Sequence, residues 1–193
     1  SASAHKLQGP KGIGLLMLRN DIKDLLMNNS SYGFKNGSIR SGTESVPLIA
    51  GFSCAIDLLN EHIEIKENQT LFPINKVSKM TSKLKESLSN INQLTLIGPV
   101  KDRLPNNLSF LCHTESNIPI KGRDVVRLLS KHGVYTSSGS ACSSSDKGPS
   151  PILLAINVEK SFQTSGLRIS IGPWISNYDI NLVSNIINET LQT

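Results

Sequence analysis

In Leu108-Ser109-Phe110-Leu111-Cys112-His113, the residues Leu108, Phe110 and Cys112 alternate with Ser109, Leu111 and His113. A period of two with one mostly apolar face is the pattern of a strand. Just downstream, Val125, Leu128 and Leu129 recur at helical spacing and stop at Gly133. The same mixture continues in both directions. Upstream, Leu71, Ile74, Val77, Met80, Leu84 and Leu88 fall on one helical face, and before them Ile49, Phe52, Ile56, Leu59 and Ile63 step by 3, 4, 3 and 4. Earlier still, the apolar run Ile13-Gly14-Leu15-Leu16-Met17-Leu18 reads as a buried strand. Downstream, Pro149-Ser150-Pro151 opens a short apolar helix through Val158, and Gly166 to Gly172 reads as a strand. Asp179 is expected to cap a last helix carrying Val183, Ile186, Ile187 and Leu191. Strands interleaved with helices predict an α/β protein. The polar stretch 28–45 is too long for a plain connector and is expected to be a functional loop.

Composition narrows the classes. The 193 residues include 38% hydrophobic and 18% charged positions, enough apolar material for a core and too little charge for a disordered polyelectrolyte. Lysine and arginine exceed the acids by 20 to 15, a mild net +5 without dense basic runs or interleaved aromatics, so nucleic acid is not expected as the main ligand. The longest apolar run, Ile13 to Leu18, is far short of the ~20 residues of a membrane-spanning helix. An odd count of 3 cysteines argues against a disulfide framework and for a reducing compartment, with a cytoplasmic location expected. The chain opens Ser1-Ala2-Ser3-Ala4-His5-Lys6 without a methionine or a signal-peptide pattern, and is expected to be a piece of a longer protein.

The thiols divide by surroundings. Cys54 and Cys112 lie within apolar patterns and are expected to be small buried core residues. Cys142 lies in Ser137-Ser138-Gly139-Ser140-Ala141-Cys142-Ser143-Ser144-Ser145, where nothing apolar would bury it. Two readings stay open there: a flexible linker with an incidental cysteine, or an accessible nucleophile able to ionise. Near the start, Lys6 stands among small residues beside a histidine and hydroxyls. Neither the phosphate-loop nor the dinucleotide glycine pattern fits. A solvated turn and a Schiff-base lysine with phosphate-binding neighbours are both compatible with these residues. Cys112 and His113 are adjacent on a strand and point apart, and no other set has ligand spacing, so no metal is expected.

Four segments gain specificity from their order. Ser3-Ala4-His5-Lys6-Leu7-Gln8-Gly9-Pro10-Lys11-Gly12, Arg40-Ser41-Gly42-Thr43, Ser137 to Ser144 with Pro149-Ser150, and Leu167-Arg168-Ile169-Ser170-Ile171-Gly172 resemble the cysteine desulfurases of the class V aminotransferases. More narrowly, the chain resembles the C-terminal half of the first group, the NifS/IscS-like enzymes with a long cysteine loop. The resemblance implies the pyridoxal-phosphate-dependent transferase fold type I. Residues 1–48 would be the end of the cofactor-binding large domain, and 49–193 the small domain with the cysteine loop at 136–148.

The resemblance also implies roles. Lys6 would bind pyridoxal 5'-phosphate covalently, Ser3 and His5 would contact its phosphate, and Thr43 would reach the phosphate in the partner subunit of a homodimer. Cys142 would take the sulfur of L-cysteine as a persulfide with release of L-alanine, and Arg168 would grip the substrate carboxylate, a task suited to a bidentate guanidinium. Iron–sulfur cluster assembly and tRNA thiolation are the implied destinations, through a sulfur-acceptor or scaffold protein. Upstream of the lysine the family carries a ring-stacking histidine and an aspartate for the pyridinium nitrogen, neither of which lies in this chain, so the chain alone is expected to be inactive and to bind cofactor weakly. Residues 32–38 depart from the family's glycine-rich approach to Arg40. The alternatives are a selenocysteine lyase or other class V aminotransferase, and a non-catalytic small-domain module that docks a sulfur acceptor. A location in an organelle would follow from a targeting segment in the upstream part.

Overall fold

The computed structural model describes residues 1–22, 42–64, 74–99, 101–139 and 148–192, with the backbone alone for 59–64. Two compact units result, 1–71 and 72–193.

In the first unit, β1 (Ala2–Ser3) pairs antiparallel with β2 (Gly14–Leu15), Ala2 opposite Leu15 and Ser3 opposite Gly14. Between them runs a 3-10 turn, Ala4–Leu7. Helix α1 spans Val46–Glu64. Its expected apolar face holds in part: Phe52 is buried, Ile56 half-buried and Ile49 exposed, and the side chains of Leu59 and Ile63 lie outside the described residues; Ala55, beside that face, is buried too. Cys54 is exposed, contrary to expectation. It precedes the inward-facing Ala55 by one residue, about 100° around the helix, so the burial of Ala55 turns it outward. The apolar run from Ile13 is also not a buried strand. Only Gly14 and Leu15 pair, and Leu16 and Met17 are 60% and 82% exposed. A ladder of two residues with one partner covers neither face.

The second unit is built on an antiparallel sheet in the order β3 (Leu94–Leu96), β4 (Asn107–Cys112), β5 (Gly166–Ser170). Leu108, Phe110, Cys112, Leu167 and Ile169 occupy one face and meet the buried faces of α2 (Ile74–Ser89), α3 (Gly122–Lys131) and α5 (Asn177–Gln192). Helix α2 buries Val77, Met80, Leu84 and Leu88 as its period predicts, while Ile74 at its first turn is exposed and Leu71 lies outside the described residues. Burial pushes the Cys112 thiol up to about 12, because a thiolate there would lose its hydration without gaining a partner.

The opposite face carries Asn107, Ser109 and Leu111 of β4 beside Gly166, Arg168 and Ser170 of β5. Helix α4 (Pro151–Ala155) starts on proline as expected and buries Leu153. Helix α5 begins differently from the expectation. Ser176 is the capping residue and Asp179 reaches back to it: Asp179 Oδ2 accepts the Ser176 N–H at 2.8 Å, and Ser176 Oγ accepts the Asp179 N–H at 3.2 Å. This reciprocal box satisfies two orphan donors where a lone cap satisfies one. Among the described residues, no helix is long and apolar enough to cross a membrane.

Candidate active site

The first group of candidate residues sits in one tight turn. Ala4 is fully buried, its N–H donating to Ile13 O at 3.1 Å and its carbonyl accepting from Gly9 N at 2.9 Å. Gln8 closes the turn in the left-handed region at φ 63°. A Cβ on Gly14 would come within 2.7 Å of Ala2 O, so only glycine lets the returning chain pass this close. Pinned at Ala4, the turn brings Ser3, on one side of it, close in sequence to His5 and Lys6 on the other, with His5 and Lys6 exposed and Ser3 half-buried. A hydroxyl, an imidazole and a primary amine are thus offered from one backbone element. Thr43 is exposed in the segment before α1, just after Gly42 at φ 91°.

The second group lies in the other unit. Arg168 sits in the middle of β5, half-buried, beside a cleft lined in part by Ser109, Ser138, Gly139, Ser150 and Ile152. Its backbone is held from one side by Ser137: Ser137 N donates to Arg168 O at 3.0 Å and Arg168 N donates to Ser137 O at 2.6 Å. This single antiparallel bridge ties the start of the serine-rich segment to the free edge of β5. The far end of that segment is tied by Ser150 N donating to Gln163 O at 3.0 Å. The Nε of Arg168 is buried and has no hydrogen-bond partner among the described residues. A buried guanidinium donor left open is costly, and a planar cation at a cleft suits a carboxylate.

Cys142 lies outside the described residues, as do Arg40 and Ser41. The structure adds a residue that sequence reasoning did not single out. Ser109 stands directly opposite Arg168 in the β4–β5 ladder. A serine on a strand carries no local signal of this, because the partner is set by register.

The class-V aminotransferase family model matches residues 1–183. Over the whole chain, 34% of residues are identical to the cysteine desulfurase IscS of Methanosarcina thermophila and 32% to that of Dictyoglomus turgidum. The chain spans less than half the length of these curated relatives, 44% and 45%. Among solved structures, a NifS-like protein superposes with a TM-score of 0.67 at 25% identity, covering 98% of this chain and 45% of that one. The cysteine desulfurase CsdA of Escherichia coli shares the fold, with a TM-score of 0.66 at 20% identity, over 98% of this chain and 45% of that one.

Proposed function

The chain belongs to the class-V aminotransferase family, and on that premise we propose that the whole protein is a pyridoxal-phosphate-dependent cysteine desulfurase. The observation that carries this is the Arg168 cleft, a half-buried guanidinium with an open buried Nε on the strand tied to the serine-rich segment. The donor set in the turn at Ser3, His5 and Lys6 fits the cofactor's two ends, an amine for an aldehyde and a hydroxyl and imidazole for a phosphate. Residues 1–48 would then end the cofactor-binding domain, and 49–193 form the small domain with the cysteine loop at 136–148.

When bound, pyridoxal phosphate supplies the electron sink that makes loss of the substrate Cα proton feasible. Ser3 and His5 would hold the phosphate, joined by Thr43 reaching into the partner subunit of a homodimer. Lys6 would hold the cofactor at its Nζ and, once released, carry the Cα proton. Arg168 would fix the carboxylate of L-cysteine and so orient its thiol. Cys142, as a thiolate, would take the substrate sulfur as a persulfide, with L-alanine as the other product. A cytoplasmic sulfur acceptor or scaffold would receive it for iron–sulfur cluster assembly and tRNA thiolation.

The test is the full-length protein with its cofactor. It is expected to release alanine from L-cysteine, and Cys142→Ser to abolish the protein persulfide while sparing cofactor binding. Sulfide release by Cys142→Ser at the unmutated rate would overturn the assigned nucleophile. Turnover of selenocysteine without turnover of cysteine would overturn the substrate.

A further inference from the structure

We propose that Ser109 is a positioning residue for Arg168: its Oγ accepts the Nε–H of the guanidinium when Arg168 engages a carboxylate. The inference rests on the desulfurase reading of Arg168 and deepens it. Strand geometry places the two side chains together. In an antiparallel ladder each residue directs its N–H and C=O to the same side. Arg168 spends both on Ser137, and Ser109 O accepts from Ile97 N at 2.9 Å. The backbones of Ser109 and Arg168 therefore turn away from each other, which makes theirs the non-hydrogen-bonded type of pair. That type brings facing side chains closest, with Cβ atoms about 4.5 to 5.5 Å apart. Both residues line the same cleft.

The hydrogen-bond inventory agrees. Ser109 Oγ donates its proton to Asn107 Oδ1 at 3.3 Å, which leaves its lone pairs to accept. Arg168 Nε is a buried donor without a partner. If the two Nη groups grip a carboxylate end-on, Nε has to be satisfied by the protein, and Ser109 is the polar side chain directly across the ladder. A chain Asn107, Ser109, Arg168 would then fix the plane of the guanidinium.

The experiment uses the full-length protein with cofactor bound, and as probe 3-mercaptopropionate, which keeps the carboxylate and thiol of cysteine and lacks the amine. Ser109→Ala is expected to weaken the probe about tenfold by calorimetry, as loss of one hydrogen bond to a charged group does. KM for L-cysteine should rise by a similar factor with kcat within about twofold. Ser109→Thr, which keeps the hydroxyl, should restore both. Arg168→Ala should weaken the probe and raise KM for L-cysteine by well over tenfold, and adding Ser109→Ala to it should raise KM no further, because Ser109 acts through the arginine. If Ser109→Ala binds the probe normally while Arg168→Ala does not, this inference is overturned and the desulfurase reading survives. If Arg168→Ala also binds normally, the assignment of Arg168 falls with it. A Ser109→Ala that loses melting temperature and kcat at unchanged probe affinity would mark a merely structural serine and refute the proposal.

Discussion

Gly122→Ala sets helix propensity against packing, and the two predict opposite signs. Gly122 is the first residue of α3, and its N–H donates to Thr164 O at 2.9 Å. Its φ is not positive, so alanine is conformationally allowed, and propensity alone gives a gain of up to ~1 kcal/mol. Packing says otherwise. A Cβ here would run into the carbonyl oxygen of Gly166 and stand 2.7 Å from its carbon and 3.2 Å from its nitrogen. Those are backbone atoms of β5, and no flexible side chain can yield. The strand or the helix must move by a sizeable fraction of an ångström, which overpacking data put at about 1–3 kcal/mol. With the propensity gain subtracted, the net is a loss of about 1 kcal/mol, or roughly 4 °C in melting temperature for a unit of this size. Calorimetry or a circular-dichroism melt reads it directly. Gly148→Ala is the control, since among the described residues no atom lies within 4 Å of its Cβ. A melting temperature for Gly122→Ala equal to or above that of the unmutated protein would refute the packing argument. Since Arg168 lies two residues beyond Gly166, the same substitution should weaken carboxylate binding.

Two pH dependences follow from named groups. The Cys112 thiol is raised from an ordinary 9.0 to about 12, so the folded chain keeps a proton the unfolded chain gives up in between. Its contribution is full below about pH 9 and is lost as pH rises toward 12, up to about 4 kcal/mol. Urea midpoints should therefore fall on the alkaline side more for the unmutated protein than for Cys112→Ala, and parallel pH profiles would contradict this. Alkylation of the native protein at neutral pH should label Cys54 and leave Cys112 unmodified until unfolding. The Ser176 hydroxyl, and then the Ser176 N–H, hold the Asp179 carboxyl below its ordinary value of 3.8. Its stabilising effect is therefore present above that value and lost as pH falls through the lower folded one. Asp179→Asn should flatten the acid limb of a melting-temperature profile measured from neutral down to about pH 3, and an unchanged limb would exclude the box as its source.

The sequence by itself determined what depends on neighbours along the chain. The helix at 74–89 and the strands at 107–112 and 166–170 follow from periods of 3.6 and 2, which backbone geometry imposes within one element. The roles proposed for Lys6 and Arg168 rest on motif order, because each short segment carries its own chemistry. What only the tertiary structure decided depends on partners remote in sequence. The run at Ile13 is apolar, yet it stays exposed because its ladder is two residues long. Cys54 faces outward because Ala55 faces in. The approach of Gly122 to Gly166 and the pairing of Ser109 with Arg168 join segments dozens of residues apart; the packing of α3 on the sheet sets the first and strand register the second. A shift of one residue would send every side chain of β5 to the other face. That is why the pattern around Arg168 can be read along its own strand, while the serine across from it is set only by register.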